Sequence, residues 1–458
     1  MDISTIVPIL QKLESASPLD PADKANFDAL YVYGLHEKQG DIVNSLAFDI
    51  TSSAGAQKAF LFSGTIGSGK STELRRLAYQ LNNEDHVCIV VDALTYLNPQ
   101  TEIGIVDLLM AISLATWESY LHIKSADPVE REKLRESLEP TRWKWWTTLL
   151  TSRVEFHDVE VGVGATKLKG SLRDNPAFRE KLRKIFDASL DQVVRDVNRF
   201  MSDLADDIKA EKGLPHKAKA VLIVDSLEQF GGVSRLGKDD TVLKALLDIF
   251  GPLNRYLRIA NWSVVYSVPP LLSKLAPGIA ALLDTGKVYS LTSAHVFQDH
   301  STVVDDATVD TKLVPLARHR IGDAIVDQLL PPSLLKKIVV TSGGDLRDLM
   351  RMLRAVLLEA AANKTFPVTD TLVDAVFSNL RRPYLPFAAD TAARLANVYA
   401  NKSAPIQTTD EWFELMGDLT QKRVLLYLNG QEWYDVHPLL RDAVLRQHPR
   451  GARVIPLK

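Results

Sequence analysis

The residues best suited to chemistry form one glycine-rich run, Gly64-Thr65-Ile66-Gly67-Ser68-Gly69-Lys70-Ser71. Its glycines allow successive backbone N–H groups to converge on phosphate oxygens. The Lys70 ammonium is expected to reach the β- and γ-phosphates of a nucleotide, and the Ser71 hydroxyl is expected to bind Mg²⁺. Together with Thr72, which follows it, this run is predicted to bind phosphate groups.

The segments on either side of the run are those that phosphate binding requires. Residues 59–63 form a short apolar run typical of a buried strand, and Leu74, Leu77 and Leu81 repeat at helical spacing afterwards. In the order strand, glycine loop, helix, the helix N-terminus adds its partial positive charge to the site. The alternative, a glycine turn that only precedes a helix, leaves the complete motif unexplained.

Two acidic residues follow the third predicted strand. The apolar run 220–224 ends at Asp225, and Glu228 follows shortly after it. A carboxylate at such a strand end holds the Mg²⁺ shell, and a second carboxylate polarises the attacking water. We predict Asp225 as a magnesium ligand and Glu228 as the water-orienting base. The alternatives are a helix-capping acid and a solvated acid in a first helical turn.

A serine and an arginine complete the predicted site. Ser267 lies near the end of a further strand, where a polar side chain is placed to sense the γ-phosphate, although an uneventful strand-end serine is the equal alternative. Arg347 lies in a helix that opens with Gly343-Gly344. It is placed to reach the β- and γ-phosphates, and surface ion pairing with Asp345 or Asp348 is its alternative.

The order of elements predicts an α/β fold with a parallel sheet, because strands alternate with helices. Further strands are expected over 86–93, 262–269 and 286–291. The helical stretch between the second and third strands, about 101–215, is too long for an ordinary crossover. It is therefore expected to be a helical insertion, with one continuous helix over 178–208.

The insertion also contains two local features. Apolar and polar residues alternate over 154–164, which predicts a hairpin. The aromatic cluster Trp143, Trp145 and Trp146 is expected to pack within the insertion rather than to stack on bases.

Four regions are expected along the chain: a leader at 1–57, a nucleotide-binding core at 58–300, a helical lid at 301–384 and a small winged-helix-like domain at 385–458. In the last region, helices precede two apolar runs separated by Asn429-Gly430. This pattern predicts a hairpin.

Composition restricts the class of protein. The chain has 458 residues, of which 46% are hydrophobic and 24% charged, with a net charge of -3. These values are typical of a globular protein of two or three domains, and they give no global reason to expect a polyanion partner. The single cysteine, Cys88, excludes an internal disulfide and is expected to be buried in a strand.

The sequence shows no membrane or secretion signal. No apolar run approaches the roughly 18 residues that span a bilayer. The start, Met1-Asp2-Ile3-Ser4, lacks the basic and apolar regions of a signal peptide. We therefore expect a cytoplasmic protein without membrane association.

The loop, the two acids and the Gly-Gly-x-x-Arg helix together resemble the AAA+ and STAND branch of P-loop ATPases, over roughly 59–98 and 218–363. The resemblance implies ATP as substrate, Mg²⁺ as cofactor and ATPase activity. The helix opening at Gly343 is similar to the second sensor of initiator-type AAA+ lids, which implies that Arg347 contacts nucleotide. A winged helix after the lid, as at 385–448, is also similar to that group and to STAND switches.

Two departures from AAA+ proteins favour a slow switch. Ser226 occupies the position of the second adjacent acid, so that Asp-Ser-Leu-Glu is closer to the pattern of STAND and KAP-like ATPases. The stretch 271–287 contains no arginine, which argues against an AAA+ arginine finger and a ring motor. Relatives with this architecture often occur in bacterial antiviral defence modules, by analogy only.

Three functions remain open at this point. The first is a nucleotide-operated switch in which ATP closes the lid through Arg347, hydrolysis reopens it, and the insertion and tail recognise a protein partner or effector. A homo-oligomer is compatible with it. The second is a DNA-binding, initiator-like ATPase. The third is a nucleotide-binding scaffold with negligible hydrolysis, because the second acid is displaced.

Charge and aromatic residues bear on these alternatives. Residues 385–458 contain nine Lys and Arg residues and eight Asp and Glu residues. The resulting net positive charge is small for a module that binds duplex DNA. The basic end from Arg446 to Lys458 keeps DNA binding open. The absence of an Asn-Lys-x-Asp guanine-reading motif favours ATP. Tyr31 or Tyr33 either packs on adenine or belongs to the core.

Overall fold

The computed structural model describes residues 3–14, 18–36, 40–53, 55, 57–142, 165–187, 189–230, 241–276, 278–279, 283 and 286–448. The chain divides into two compact units. The first unit comprises Met1–Ile42, Gly64–Glu73 and Leu291–Lys458, and the second comprises Val43–Ser63 and Leu74–Ser290. The predicted hairpin at 154–164 and the three tryptophans at 143, 145 and 146 lie outside the described residues.

The strands are β1 (Lys58–Gly64), β2 (Val87–Asp92), β3 (Ala220–Asp225), β4 (Ser263–Val268), β5 (Val288–Leu291), β6 (Val424–Leu428) and β7 (Glu432–Val436). The helices up to β5 are α1 (Ile3–Lys12), α2 (Lys24–Leu30), α3 (Ile42–Ser52), α4 (Lys70–Asn83), α5 (Ile105–Lys124), α6 (Pro128–Arg142), α7 (Ala165–Asp174), α8 (Pro176–Asp187), α9 (Leu190–Glu211), α10 (Thr241–Phe250) and α11 (Leu272–Leu275).

The helices after β5 are α12 (Asp306–Thr308), α13 (Val314–Ile321), α14 (Val326–Leu329), α15 (Pro332–Thr341), α16 (Leu346–Ala362), α17 (Asp370–Arg381), α18 (Ala389–Asn401), α19 (Thr409–Thr420) and α20 (Arg441–Gln447). A single π-helical turn, Val309–Leu313, joins α12 to α13. None of the helices in the described part of the chain has the length and apolar character needed to cross a membrane.

The first five strands form one sheet in the order β2-β3-β4-β1-β5. β2 pairs with β3, β3 with β4 and β4 with β1, each in parallel. β3 and β4 are buried along their whole length, as expected for apolar runs covered on both faces by helices. The predicted parallel α/β sheet is confirmed. Because the strands are parallel, β1, β3 and β4 end at the same edge.

In its described residues the insertion is helical, as predicted, and it packs on the sheet through α5 and α9. Fifteen residues of α5 are buried, and the Trp262 indole donates to the Met201 carbonyl in α9 over 2.7 Å. The prediction of one continuous helix over 178–208 is wrong, because α8 ends at Asp187 and α9 begins after Ser189. Ser189 is a residue type that favours helix starts, and Asp191 follows in the first turn.

The edge strand β2 carries the cysteine. Cys88 is buried, as predicted. Its backbone N–H donates to Asn82 Oδ1 over 3.0 Å, and its carbonyl accepts from Asn82 Nδ2 over 3.1 Å. A side chain at the end of α4 therefore satisfies the peptide groups of an edge-strand residue.

The first unit has its own core, built mainly from α1, α13 to α17 and the β6–β7 hairpin. The hairpin turns at Asn429-Gly430, as predicted, with Leu428 opposite Glu432. The Tyr427 and Trp433 rings stack with centroids 4.4 Å apart. Helices followed by a hairpin agree with the winged-helix-like region, whose name and boundaries remain predictions.

Candidate functional site

The predicted strand, loop and helix are present around the glycine-rich run. β1 ends at Gly64 and α4 begins at Lys70. Between them, Gly67 and Gly69 have φ angles of +97° and +99°. Residues with a Cβ rarely adopt this region, so the loop conformation requires glycine at both positions.

Lys70 is the charged group of the loop. Its ammonium is buried and donates to the carbonyls of Gly64 and Thr65, over 3.0 and 2.8 Å. The Ser68 hydroxyl also donates to the Thr65 carbonyl, over 2.9 Å. The Thr65 hydroxyl is buried and forms no hydrogen bond with any described group. A buried cation and an unsatisfied hydroxyl at the start of a helix fit the binding of an anion. The chain has the α/β fold of P-loop NTPases.

The leader contacts the first turn of α4, which the sequence did not predict. Ser71 and Thr72 are half-buried there, and the Thr72 hydroxyl accepts from the Leu19 backbone N–H over 3.1 Å. The Tyr31 hydroxyl donates to Glu73 over 2.7 Å. Residues of the leader therefore fix side chains directly after the phosphate loop.

A leader histidine contacts the loop itself. The His36 imidazole lies next to the Ser68 backbone. Burial, together with the neighbouring His295, lowers the pKa of His36 to about 4. The imidazole is therefore neutral at pH 7.

The N-terminus of α16 lies directly on the loop. The Leu346 N–H donates to the Gly67 carbonyl over 3.1 Å. A Cβ built on Gly67 would lie 2.5 Å from both carboxylate oxygens of Asp345, and one on Gly69 would lie 3.4 Å from Leu346. Two independent features therefore require glycine at position 67: its positive φ angle and the Asp345 carboxylate, which leaves no room for a Cβ.

Arg347 is exposed in the first turn of α16, next to the residue that contacts the loop. The alternative of ion pairing with Asp345 or Asp348 is not what the structure shows. Lys422 takes that place, at 2.8 Å from Asp345 and 3.3 Å from Asp348. Within the described chain, Arg347 forms no ion pair. Its contact with phosphate remains a prediction.

Asp225 and the residue after it form a sharp turn in the second unit. Asp225 is the last residue of β3 and is 7% exposed. Its carboxylate accepts from the Ser226 N–H over 2.7 Å. Ser226 has φ +71°, an uncommon conformation for a residue other than glycine. The turn holds the Asp225 carboxylate at the strand end, where the sequence predicts a magnesium ligand.

Glu228 and Ser267 are brought together. The Ser267 hydroxyl donates to Glu228 Oε2 over 2.7 Å and accepts from the Leu227 N–H over 3.2 Å. Glu228 is 8% exposed, so the alternative of a solvated acid is wrong. The sequence selected both residues but not their hydrogen bond. β4 therefore orients the acid that follows β3.

The predicted residues are divided between the two units. The loop 64–72 and Arg347 belong to the first unit, and Asp225, Glu228 and Ser267 belong to the second. Within the second unit, β1 ends beside Ser267, since Phe62 pairs with it and Ser63 pairs with Val268. The roles assigned to these residues remain predictions.

Most basic side chains in the described part of the C-terminal region form ion pairs. Five basic residues between 385 and 448 each lie within 3.3 Å of an acidic side chain, and they are Arg394, Lys402, Lys422, Arg423 and Arg441. Arg446 instead lines an open groove of about 700 Å³ together with Arg382, Ser378 and Gln447. Four of the five paired basic residues pair with acidic residues of the same region, and Lys422 pairs with Asp345 outside it.

No protein-family model matches this sequence, and no curated protein matches it. Several solved structures resemble the chain, but only weakly. Aeropyrum pernix ORC2, in its ADPNP-ADP complexes, has a TM-score of 0.43 and 10% identity, over 96% of this chain and 97% of that protein. Aeropyrum pernix ORC1 in complex with DNA has a TM-score of 0.34 and 11% identity, over 91% and 94%.

Drosophila ORC bound to DNA is a third such structure, with a TM-score of 0.34 and 10% identity, over 98% of this chain and 93% of that one. These values do not assign the chain to a family. The fold assignment depends instead on the strand order and the loop described above.

Proposed function

We propose that this protein is an ATP-binding molecular switch that hydrolyses ATP slowly and couples its nucleotide state to recognition of a partner. The observation that carries the proposal is the contact of α16 with the glycine loop, in which the Leu346 N–H donates to the Gly67 carbonyl over 3.1 Å. A helix whose N-terminus lies on a phosphate-binding loop is placed to respond to the phosphates bound there.

The binding step uses groups of the loop. Backbone N–H groups of 64–70 and the buried Lys70 ammonium would hold the β- and γ-phosphates. The Ser71 hydroxyl and the Asp225 carboxylate are the proposed magnesium ligands, and the ion would supply positive charge against the phosphates. The two ligands belong to different units, so their joint binding of one ion remains a prediction.

The hydrolytic step would use Glu228 as the base that orients water, with Ser267 fixing its carboxylate. The water would attack the γ-phosphorus directly and give its proton to Glu228, while the bond to ADP breaks and no covalent enzyme intermediate forms. Arg347 would spread the charge that develops on the phosphate and would sense its loss. Because Ser226 replaces the second adjacent acid of typical AAA+ proteins, we expect slow turnover.

The partner is proposed to bind the insertion or the C-terminal region. The paired charges of the latter favour a protein surface over a duplex as its target, because a duplex-binding face needs unpaired cations.

The test is to measure binding of a fluorescent ATP analogue and steady-state ATP hydrolysis with Mg²⁺, for the wild type, Lys70→Ala and Glu228→Gln. Lys70→Ala should weaken binding at least about a hundredfold, because it removes the cation of the loop. Glu228→Gln should retain bound ATP but lose turnover by about a hundredfold.

Matched controls are Lys364→Ala and Glu136→Gln, which alter exposed residues of the same charge. ATP binding unchanged in Lys70→Ala would overturn the nucleotide switch. Normal turnover in Glu228→Gln would remove Glu228 from the mechanism. Binding without turnover in the wild type would establish the nucleotide-binding scaffold instead.

A second candidate function, DNA binding, is favoured by the groove that Arg382 and Arg446 line. Both side chains are exposed, and two guanidinium groups in one groove fit a phosphate backbone. Duplex binding that weakens with salt and is lost in Arg382→Ala/Arg446→Ala would support it. If no duplex binds at low salt, DNA binding is overturned and recognition of a protein partner is the remaining proposal.

A further inference from the structure

We propose that the ion pair of Asp345 with Lys422 sets the charge that faces the phosphate loop, and that nucleotide affinity therefore depends on the hairpin module. The hairpin module is α19, β6, β7 and the turn that contains Lys422. This inference rests on the proposed function, because it names a regulatory contact of the same site. All the residues involved belong to the first unit.

Asp345 places a buried carboxylate against the phosphate loop. It is 1% exposed, and its two oxygens lie 2.5 Å from the position of a Cβ on Gly67. Oδ1 accepts from the Asp348 N–H, as the N-cap of α16, and from Lys422 Nζ, each over 2.8 Å. Oδ2 is buried and has no hydrogen-bond partner among the described groups. A negative charge therefore faces the loop that is proposed to bind phosphates.

The charge of Asp345 opposes anion binding unless it is neutralised. Two negative charges at short distance in a partly buried site repel by several times the thermal energy. Lys422 supplies the opposite charge at 2.8 Å, with a side chain that is 12% exposed. With the ion pair formed, the loop faces a dipole. Without Lys422, it would face a net negative charge.

Lys422 belongs to the hairpin module and not to α16. It lies between α19 and β6 with φ +56°. The same module reaches the Gly-Gly turn, because the Tyr427 hydroxyl donates to the Gly343 carbonyl over 2.6 Å. Any movement of the module that withdraws Lys422 would expose the Asp345 charge to the loop. A partner that binds the module would thereby alter nucleotide affinity, and nucleotide would alter partner affinity equally.

A capping role alone does not account for this arrangement. Asparagine caps a helix as well as aspartate does, so Asp345→Asn preserves the N-cap and removes only the charge. The variant therefore separates the electrostatic role of Asp345 from its structural role.

The experiment measures the affinity of a fluorescent ATP analogue for the wild type, Lys422→Gln, Asp345→Asn and the double variant. Lys422→Gln should weaken binding about tenfold, and Asp345→Asn should tighten it about threefold. The double variant should return to within about twofold of the wild type, since it lacks both the Asp345 charge and the Lys422 charge that offsets it. Lys364→Gln is the control, because Lys364 is exposed and has φ +54°.

Equal affinities in Lys422→Gln and Lys364→Gln would overturn the inference, as would a double variant as weak as Lys422→Gln. If circular dichroism shows that Lys422→Gln does not fold, the test depends on Asp345→Asn. ATP-analogue binding by Asp345→Asn that is unchanged or weaker than that of the wild type would then overturn the inference. A wild type that binds no ATP analogue would overturn the proposed function itself. These failures are distinguishable, because only the last one concerns the wild type.

Discussion

The Ser267 hydroxyl donates a hydrogen bond to Glu228 Oε2 over 2.7 Å, although the two residues are 39 positions apart in the chain. Ser267 belongs to β4 and Glu228 follows β3, and these strands are neighbours in the sheet. The same hydroxyl accepts from the Leu227 N–H. One serine thus fixes both the backbone and the side chain of the turn that carries the proposed base.

Ser267→Ala should therefore lower ATP hydrolysis about tenfold and leave ATP affinity within about twofold, because Glu228 would keep its charge but lose its orientation. Steady-state kinetics and analogue binding on the same preparation measure the two effects. Ser267→Thr, which keeps the hydroxyl, is the rescue variant. An equal loss of affinity and turnover would show that Ser267 acts on binding instead.

Asp348 should make stability depend on acid pH. Burial alone would raise the pKa of Asp348, but the His437 imidazole and the charges of Lys422 and Arg351 hold it well below its usual 3.8. A carboxyl whose pKa is lower in the folded state stabilises the fold above pH 3.8, and this contribution is lost as the pH falls through the folded value. Asp348→Asn should cost about 2–4 kcal/mol at pH 7.

Urea unfolding of the wild type and of Asp348→Asn between pH 8 and pH 3 measures this dependence. The difference in unfolding free energy should shrink towards the acid end of the range. Asp370→Asn is the control, since Asp370 pairs with Lys337 at the surface with 64% of its side chain exposed. A similar cost for both variants would contradict the prediction.

Gly344→Ala should destabilise the first unit by about 2–4 kcal/mol, because the added Cβ would collide with the Ala294 carbonyl and strain a φ of +80°. Gly430→Ala adds a Cβ at φ +119° with no atom within 4 Å. It should cost only about 1 kcal/mol. Chemical denaturation compares the two variants, and equal costs would show that backbone strain alone is responsible.

Substitution of a leader tyrosine tests how adenine is bound. Tyr31 stacks on Phe27 with centroids 4.5 Å apart, and Tyr33 meets Tyr31 edge-on at 4.7 Å. Tyr33 is 62% exposed, so it is the residue with a face available for a base. Tyr33→Ala should weaken ATP binding about fivefold or more, by loss of stacking. Tyr79→Ala, with Tyr79 42% exposed, should have no effect. If the wild type and Tyr33→Ala bind ATP with equal affinity, Tyr33 contributes only to packing within the leader.

The parts of the fold and site that sequence predicts are those with local causes. The phosphate loop follows from glycines, a lysine and the apolar runs beside them, and Gly67 and Gly69 do adopt the positive φ that glycine permits. The sheet strands follow from continuous apolar runs, and the β6–β7 turn follows from Asn429-Gly430.

The parts that sequence does not predict depend on long-range pairing. Lys422 and Asp345 are 77 positions apart, and no spacing in the chain marks their ion pair. The contact between Tyr31 and Glu73 likewise joins segments 42 positions apart. By contrast, the break before α9 did have a local signal in Ser189, which the uninterrupted apolar spacing concealed.

The bond between Asn82 and the Cys88 backbone has a consequence for the protein in concentrated solution. An edge strand with unpaired peptide groups is a template on which another chain can add a strand. Asn82 occupies both peptide groups of Cys88 with its amide, so an incoming strand would first have to displace it. Loss of this amide would favour self-association through β2 even where the fold itself survives.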